Sequence, residues 1–190
     1  YFAALGLGFM LIEISMIQRF ALLLGFPTLS LSVSLFTLLI ATAVGARISG
    51  IVKRWPVGGL PFVTGALVVL TVVYMTVGDS ITDAALAWNQ AARIAVVMLL
   101  LFPIGLLLSV FLLTGIDAAL DAAGNDEAVR GRLVAWCWAV NGFFSVIGSS
   151  VTTILSMAAG FNQTLLIGLS MYVAAVVLQL LAQSNAEEDQ

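Results

Sequence analysis

The chain has 190 residues, of which 62% are hydrophobic and 9% charged, whereas soluble domains average about 45–50% apolar and about 25% charged. That composition marks an integral membrane protein, and a net charge of −3 leaves no basic field for nucleic acid. Histidine is absent and Cys137 is the single cysteine, so an intrachain disulfide is impossible, no metal site is expected, and a zinc, haem or iron–sulfur cofactor lacks its usual ligands.

Apolar runs of about 20 residues predict an all-α transmembrane bundle of six spanning helices, at 2–24, 29–52, 60–78, 93–115, 134–158 and 161–183. They form one transmembrane domain, with an acidic tail at 184–190. Helices are the expected state because the bilayer offers backbone groups no water, and a helix pairs them internally. Tyr1-Phe2 already lies in apolar sequence with no initiator Met, so sequence upstream of this start is expected.

Taken in chain order, the first break is Gly25-Phe26-Pro27-Thr28. Its proline stops helix 1, and Thr28 is placed to cap helix 2. Lys53-Arg54-Trp55-Pro56 with Gly58-Gly59 makes the second break. Residues 79–92 carry Ser80 and, three positions on, Asp83, a capping-box spacing that predicts a short interfacial helix. Pro103 and Gly105 predict a kink in helix 4. Residues 117–133 extend helix 4 to a turn at Gly124-Asn125, with Asp117 and Asp121 on a solvated face. Gly160 is a C-terminal cap for helix 5.

Lys and Arg set the expected orientation. Arg47, Lys53, Arg54, Arg130 and Arg132 flank the 2–3 and 4–5 connections, against Arg19 and Arg93 on the other side. The positive-inside rule places those two connections, and hence both chain ends, in the cytoplasm. Trp55, Trp136 and Trp138 then fall at the cytoplasmic interface and Trp88 at the outer one.

The segment "GLGFMLIEISMIQRFALLLGFPT" sets Glu13, Gln18 and Arg19 in apolar sequence. Arg19 lies about 9 Å beyond Glu13 along the axis and about 120° around it, so the two do not pair. Arg19 is six residues from the turn and can snorkel to the outer interface. Glu13 is too short and too deep for that, and an acid at helix centre costs roughly 2.5–3.5 kcal/mol. It needs a buried hydrogen bond, or a hydrated cavity in which it carries protons or binds a cation.

Helix 5 offers the partner surface. Asn141, Ser145, Ser149 and Thr153 recur every four residues, and Gly142, Gly148, Thr152 and Ser156 widen the same small, polar stripe. Such a stripe is a packing face, or else a hydrated path lined by hydroxyls. Helices 1 and 5 are therefore expected to be neighbours, with Asn141 the partner of Glu13. In helix 2, Ala41, Gly45 and Ser49 form a small-xxx-small packing signature.

No phosphate loop, GxSxG elbow or HExxH is present, and no nucleophile–base set stands out. The chain alone is not expected to be an enzyme.

Two stretches, "LGFMLIEISMIQRFALLLGFPT" and "WCWAVNGFFSVIGSS", resemble the C-terminal membrane portion of bacterial membrane-bound spermidine synthase-like proteins. The likeness rests on Gly6, Gly8, Glu13, Gln18, Arg19, Gly25 and Pro27, and on Trp138, Asn141, Gly142, Ser145, Gly148 and Ser149. Phe26 departs from it, standing where a polar residue is expected, as does the end of helix 4 at 111–115, expected to be Pro-rich. None of these residues belongs to an aminopropyltransferase-like domain, so the resemblance implies a membrane module and carries over no catalytic residue. It implies a multi-pass protein of the bacterial inner membrane that anchors or scaffolds a larger protein or multi-subunit complex. Its partners are then the bilayer and other membrane chains or a soluble domain. The alternative is a transporter-like module with a polar midplane site around Glu13, Arg19, Asn141 and the helix-5 hydroxyls.

Overall fold

A computed structural model describes residues 1–52, 59–124 and 126–188. Lys53, Arg54, Trp55, Pro56, Gly58, Asn125 and Asp189, which carry parts of the expected breaks and tail, lie outside the described residues. Six helices follow in order: α1 (Phe2–Leu24), α2 (Pro27–Val52), α3 (Gly59–Ala85), α4 (Gln90–Ala122), α5 (Glu127–Ala159) and α6 (Phe161–Glu188). All six are long and apolar enough to cross a membrane, and no strand occurs among the described residues.

The helix ends show why the chain turns where it does. Gly25 adopts φ 79°, a left-handed conformation that costs glycine little, and its N–H bonds the Ala21 carbonyl. Pro27 is the first residue of α2, where its missing N–H is harmless. Thr28 therefore sits within the first turn and does not cap the helix from outside. The Gln90 side chain donates to the Leu24 carbonyl at 3.1 Å and Arg93 to the Leu23 carbonyl at 3.3 Å. The last carbonyls of α1 are thus satisfied by the first turn of α4.

Four helices outrun their apolar runs, α6 continuing to Glu188 into the expected acidic tail. Helix α3 continues to Ala85, so Ser80 and Asp83 lie inside it and the expected separate interfacial helix does not form. The chain turns at 86–89, and Asn89 caps α4 by accepting from the Ala92 N–H at 2.9 Å. Helix α4 continues through Pro103 to Ala122. Helix α5 begins at Glu127, seven residues before the predicted start at 134, because Asp126 caps it through the N–H groups of Ala128 and Val129. Arg130 then donates to the Leu120 and Gly124 carbonyls, closing the α4–α5 turn.

Helix α1 is the hub. It packs against α5, α6, α2 and α4, while α2 packs closely on α4 and α3 on α4 and α6. Half of the α1 span is buried, against 11% of the α5 span, so α5 stands at the rim. The core of the bundle is apolar, built around Phe20, Leu67, Phe111, Leu165 and Tyr172. Tyr1 reaches from the start of α1 to donate to the Phe111 carbonyl at 2.6 Å.

Candidate functional site

Helices α1 and α5 are neighbours, as their small residues imply, and they run parallel. Gly6 lies against the backbone of Asn141 and Ser145, and Gly148 lies against Leu7 and Met10. A Cβ at Gly6 would overlap the Asn141 carbonyl oxygen. Glycine is therefore required there by the close approach of the two backbones.

This register separates Asn141 from Glu13. Asn141 donates to the Phe2 carbonyl at 3.3 Å, and Phe2 is 11 residues, about 16 Å, from Glu13 along α1. The expected Glu13–Asn141 pair is not formed. Because α5 starts early, it projects past the first residue of α1, and Asn141 sits level with the beginning of that helix rather than with its middle. Ser145 donates to the Asn141 carbonyl at 2.8 Å and to the Gly6 carbonyl at 3.4 Å.

Glu13 is buried, at 6% exposure. Among the described residues it has no hydrogen-bond or ion-pair partner. Gln18 is half-buried and likewise has no hydrogen-bond partner there.

The remaining helix-5 positions divide between two faces. Thr152 is buried and donates to the Gly148 carbonyl at 2.6 Å, and Ser156 is buried and meets Thr164 of α6 at 3.4 Å. Ser149 is half-buried and donates to the Val146 carbonyl within its own helix. Gly142 and Thr153 are exposed, and nothing lies within 4 Å of a Cβ built on Gly142. Gly142 is thus not a packing residue here. A strict four-residue spacing advances 400° per step, so it drifts about 40° at each step on a 3.6-residue helix. The stripe that faces the bundle is 141, 145, 148, 152 and 156.

The signature in helix 2 marks a real contact. Ala41 is fully buried and Ser49 is buried, donating to the Ala46 carbonyl at 2.8 Å. A Cβ at Gly45 would collide with Ser109 of α4, and one at Gly105 would press on Leu38 and Ala41. The α2–α4 crossing therefore relies on glycine from both sides.

Arg19 reaches toward one end of the bundle and is held there by side chains of other helices. It forms an ion pair with Asp79 of α3, donates to Asn162 Oδ1 of α6 at 2.8 Å, and stands over the Tyr74 ring at 5.3 Å. Its side chain is 11% exposed and that of Asp79 59%. One guanidinium thus ties three helices at one end of the bundle, and its planar fork of donors suits that task. Asp79, Tyr74 and Asn162 were not singled out from sequence. The signal for Asp79 was its place one residue after the predicted end of helix 3, level with Arg19.

Among the described residues no cluster of three or more His, Cys, Asp or Glu side chains is placed to hold a metal ion. Comparison with protein-family models, with characterised proteins and with solved structures returns no match.

Proposed function

We propose that this chain is a non-catalytic membrane module that anchors or scaffolds a larger spermidine synthase-like protein or multi-subunit complex in the bacterial cytoplasmic membrane, both of its ends being cytoplasmic. The observation that carries this reading is how the intramembrane polar groups are used. Arg19 is taken up by Asp79 and Asn162, Asn141 by Phe2, and Ser145 by Gly6. These groups brace helices against one another instead of lining a path. Helices α4 and α5 also support it. Each has 33 residues, about 50 Å of helix against a hydrocarbon core about 30 Å thick. Their shared turn therefore reaches beyond the membrane, where a soluble domain can rest on it.

Mass spectrometry of the intact complex, released from native membranes in mild detergent, tests the proposal. The expected result is this chain joined to a larger soluble domain or to other membrane chains. A free monomer, with no upstream sequence and no partner, would overturn it.

A second reading, a transporter-like module, draws on one observation, the buried carboxyl of Glu13, which has no hydrogen-bond or ion-pair partner among the described residues. Its test is flux across proteoliposomes holding the purified chain, which Glu13→Gln would abolish.

A further inference from the structure

The bundle encloses a cavity of about 430 Å³, within the range of about 300–1,000 Å³ usual for small-molecule sites. Phe9, Leu39, Leu108, Leu112 and Trp138 give it mostly apolar walls. Leu39 on α2 and Trp138 on α5 are 69% and 52% exposed, so the cavity opens sideways, toward the bilayer. Most of its polar lining is already engaged. Thr42 donates to the Leu39 carbonyl, Ser109 to that of Leu106, and Asn141 to that of Phe2.

Tyr172 is the exception. It lines the cavity from α6, is 2% exposed, and packs edge-on against Phe111 at 5.0 Å and against Gly8. Its hydroxyl has no hydrogen-bond partner among the described residues. It also differs from the hydroxyls of Ser15, Ser34 and Thr71, which are sealed off without partners. A hydroxyl left unpaired in an apolar wall is unfavourable, so a ligand that supplies an acceptor here gains by doing so. Depth narrows the class. Tyr172 is ten residues, about 15 Å, along α6 from Asn162 in the Arg19–Asp79 cluster, near the middle of a core about 30 Å thick. Phospholipid headgroup oxygens lie outside that core. An acceptor that reaches Tyr172 belongs to a molecule that carries a carbonyl into hydrocarbon.

We propose that this cavity binds a membrane-dissolved carbonyl compound of the quinone class. Its carbonyl oxygen accepts the Tyr172 hydroxyl, and its hydrocarbon chain leaves between Leu39 and Trp138.

The test uses the chain carrying Trp55→Phe, Trp88→Phe and Trp136→Phe, which leaves Trp138 as the reporter on the cavity wall. In phosphatidylcholine nanodiscs, a decyl-substituted benzoquinone is expected to quench its fluorescence saturably. Tyr172→Phe is expected to weaken that binding about 3–10-fold, the loss of one hydrogen bond. Ala43→Phe, which fills the cavity, is expected to abolish saturation. Decylbenzene, of similar size but without a carbonyl, is expected to compete at least threefold more weakly. Quenching that rises linearly with quinone, or equal competition by decylbenzene, would overturn the proposal. The hydrocarbon comparison is made on the parent chain, so it decides the matter even if Tyr172→Phe does not fold.

Discussion

Arg19 and Asp79, sixty residues apart in the chain, form an ion pair between α1 and α3 at the end of the bundle where α6 begins. The pair is asymmetric, with Arg19 largely enclosed and Asp79 more than half exposed. Removing Asp79 leaves a largely enclosed cation with only Asn162 and the Tyr74 ring, whereas removing Arg19 leaves a carboxylate in contact with water. Asp79→Ala is therefore expected to destabilise by about 1–3 kcal/mol, and Arg19→Ala by a similar or larger amount because it also releases Asn162 and the Tyr74 ring. A double-mutant cycle read by denaturant unfolding in detergent should give a coupling energy of about 0.5–3 kcal/mol. A coupling near zero would show that the two charges do not support each other.

Gly6 and Gly142 look alike in sequence, each a glycine in a small-residue stripe, and the structure sets them apart. Gly6→Ala drives a methyl group into the Asn141 carbonyl, so α1 and α5 must separate. The expected cost is about 1–3 kcal/mol, as for overpacking elsewhere. Gly142→Ala meets open space, and replacing a mid-helix glycine favours the helix by up to about 1 kcal/mol. Melting temperatures of the two variants should move in opposite directions. If both fall alike, the assignment of faces on α5 is wrong.

These two cases show what the sequence carries. All six spans were legible because the bilayer demands long apolar runs, and those runs are continuous. The helix ends were less so. Hydropathy reports the apolar runs, and residues 79–85, 116–122 and 127–133 are helical beyond the runs read from it. That error moved Asn141 away from Glu13. The small residues of α5 and the pairing of α1 with α5 were readable. The face they occupy was not, because a stripe written every four residues drifts around the helix. The partners of Arg19 come from α3 and α6, whose placement around α1 no local pattern encodes.

Glu13 makes no hydrogen bond among the described residues, so its carboxyl is a burden on the fold unless it acts. Burying a polar group without a partner costs about 1–3 kcal/mol. If the chain is an anchoring module, Glu13→Leu is expected to raise stability by about that amount and to leave assembly with its partners intact. Glu13→Gln is expected to be close to neutral. Loss of folding or of complex formation in Glu13→Leu would mean that the carboxyl is needed. Loss of flux with unchanged stability would favour the transporter-like reading instead.

The orientation has its own test. The first residues of α1 and α5 lie at one end of the bundle, joined by Asn141 and Phe2, and the turn before α2 lies at the other. Arg130 and Arg132 belong to the first end, as does Arg47, and the positive-inside rule predicts that this end faces the cytoplasm. With Cys137→Ser as background, single cysteines at Thr28→Cys, Gly131→Cys and Ser184→Cys sample both ends at exposed positions. A membrane-impermeant maleimide is expected to label Thr28→Cys in intact spheroplasts, and the other two only after lysis. The reverse pattern would invert the orientation. Labelling of Thr28→Cys and Gly131→Cys from the same side is incompatible with six crossings, because an odd number of spans separates those positions.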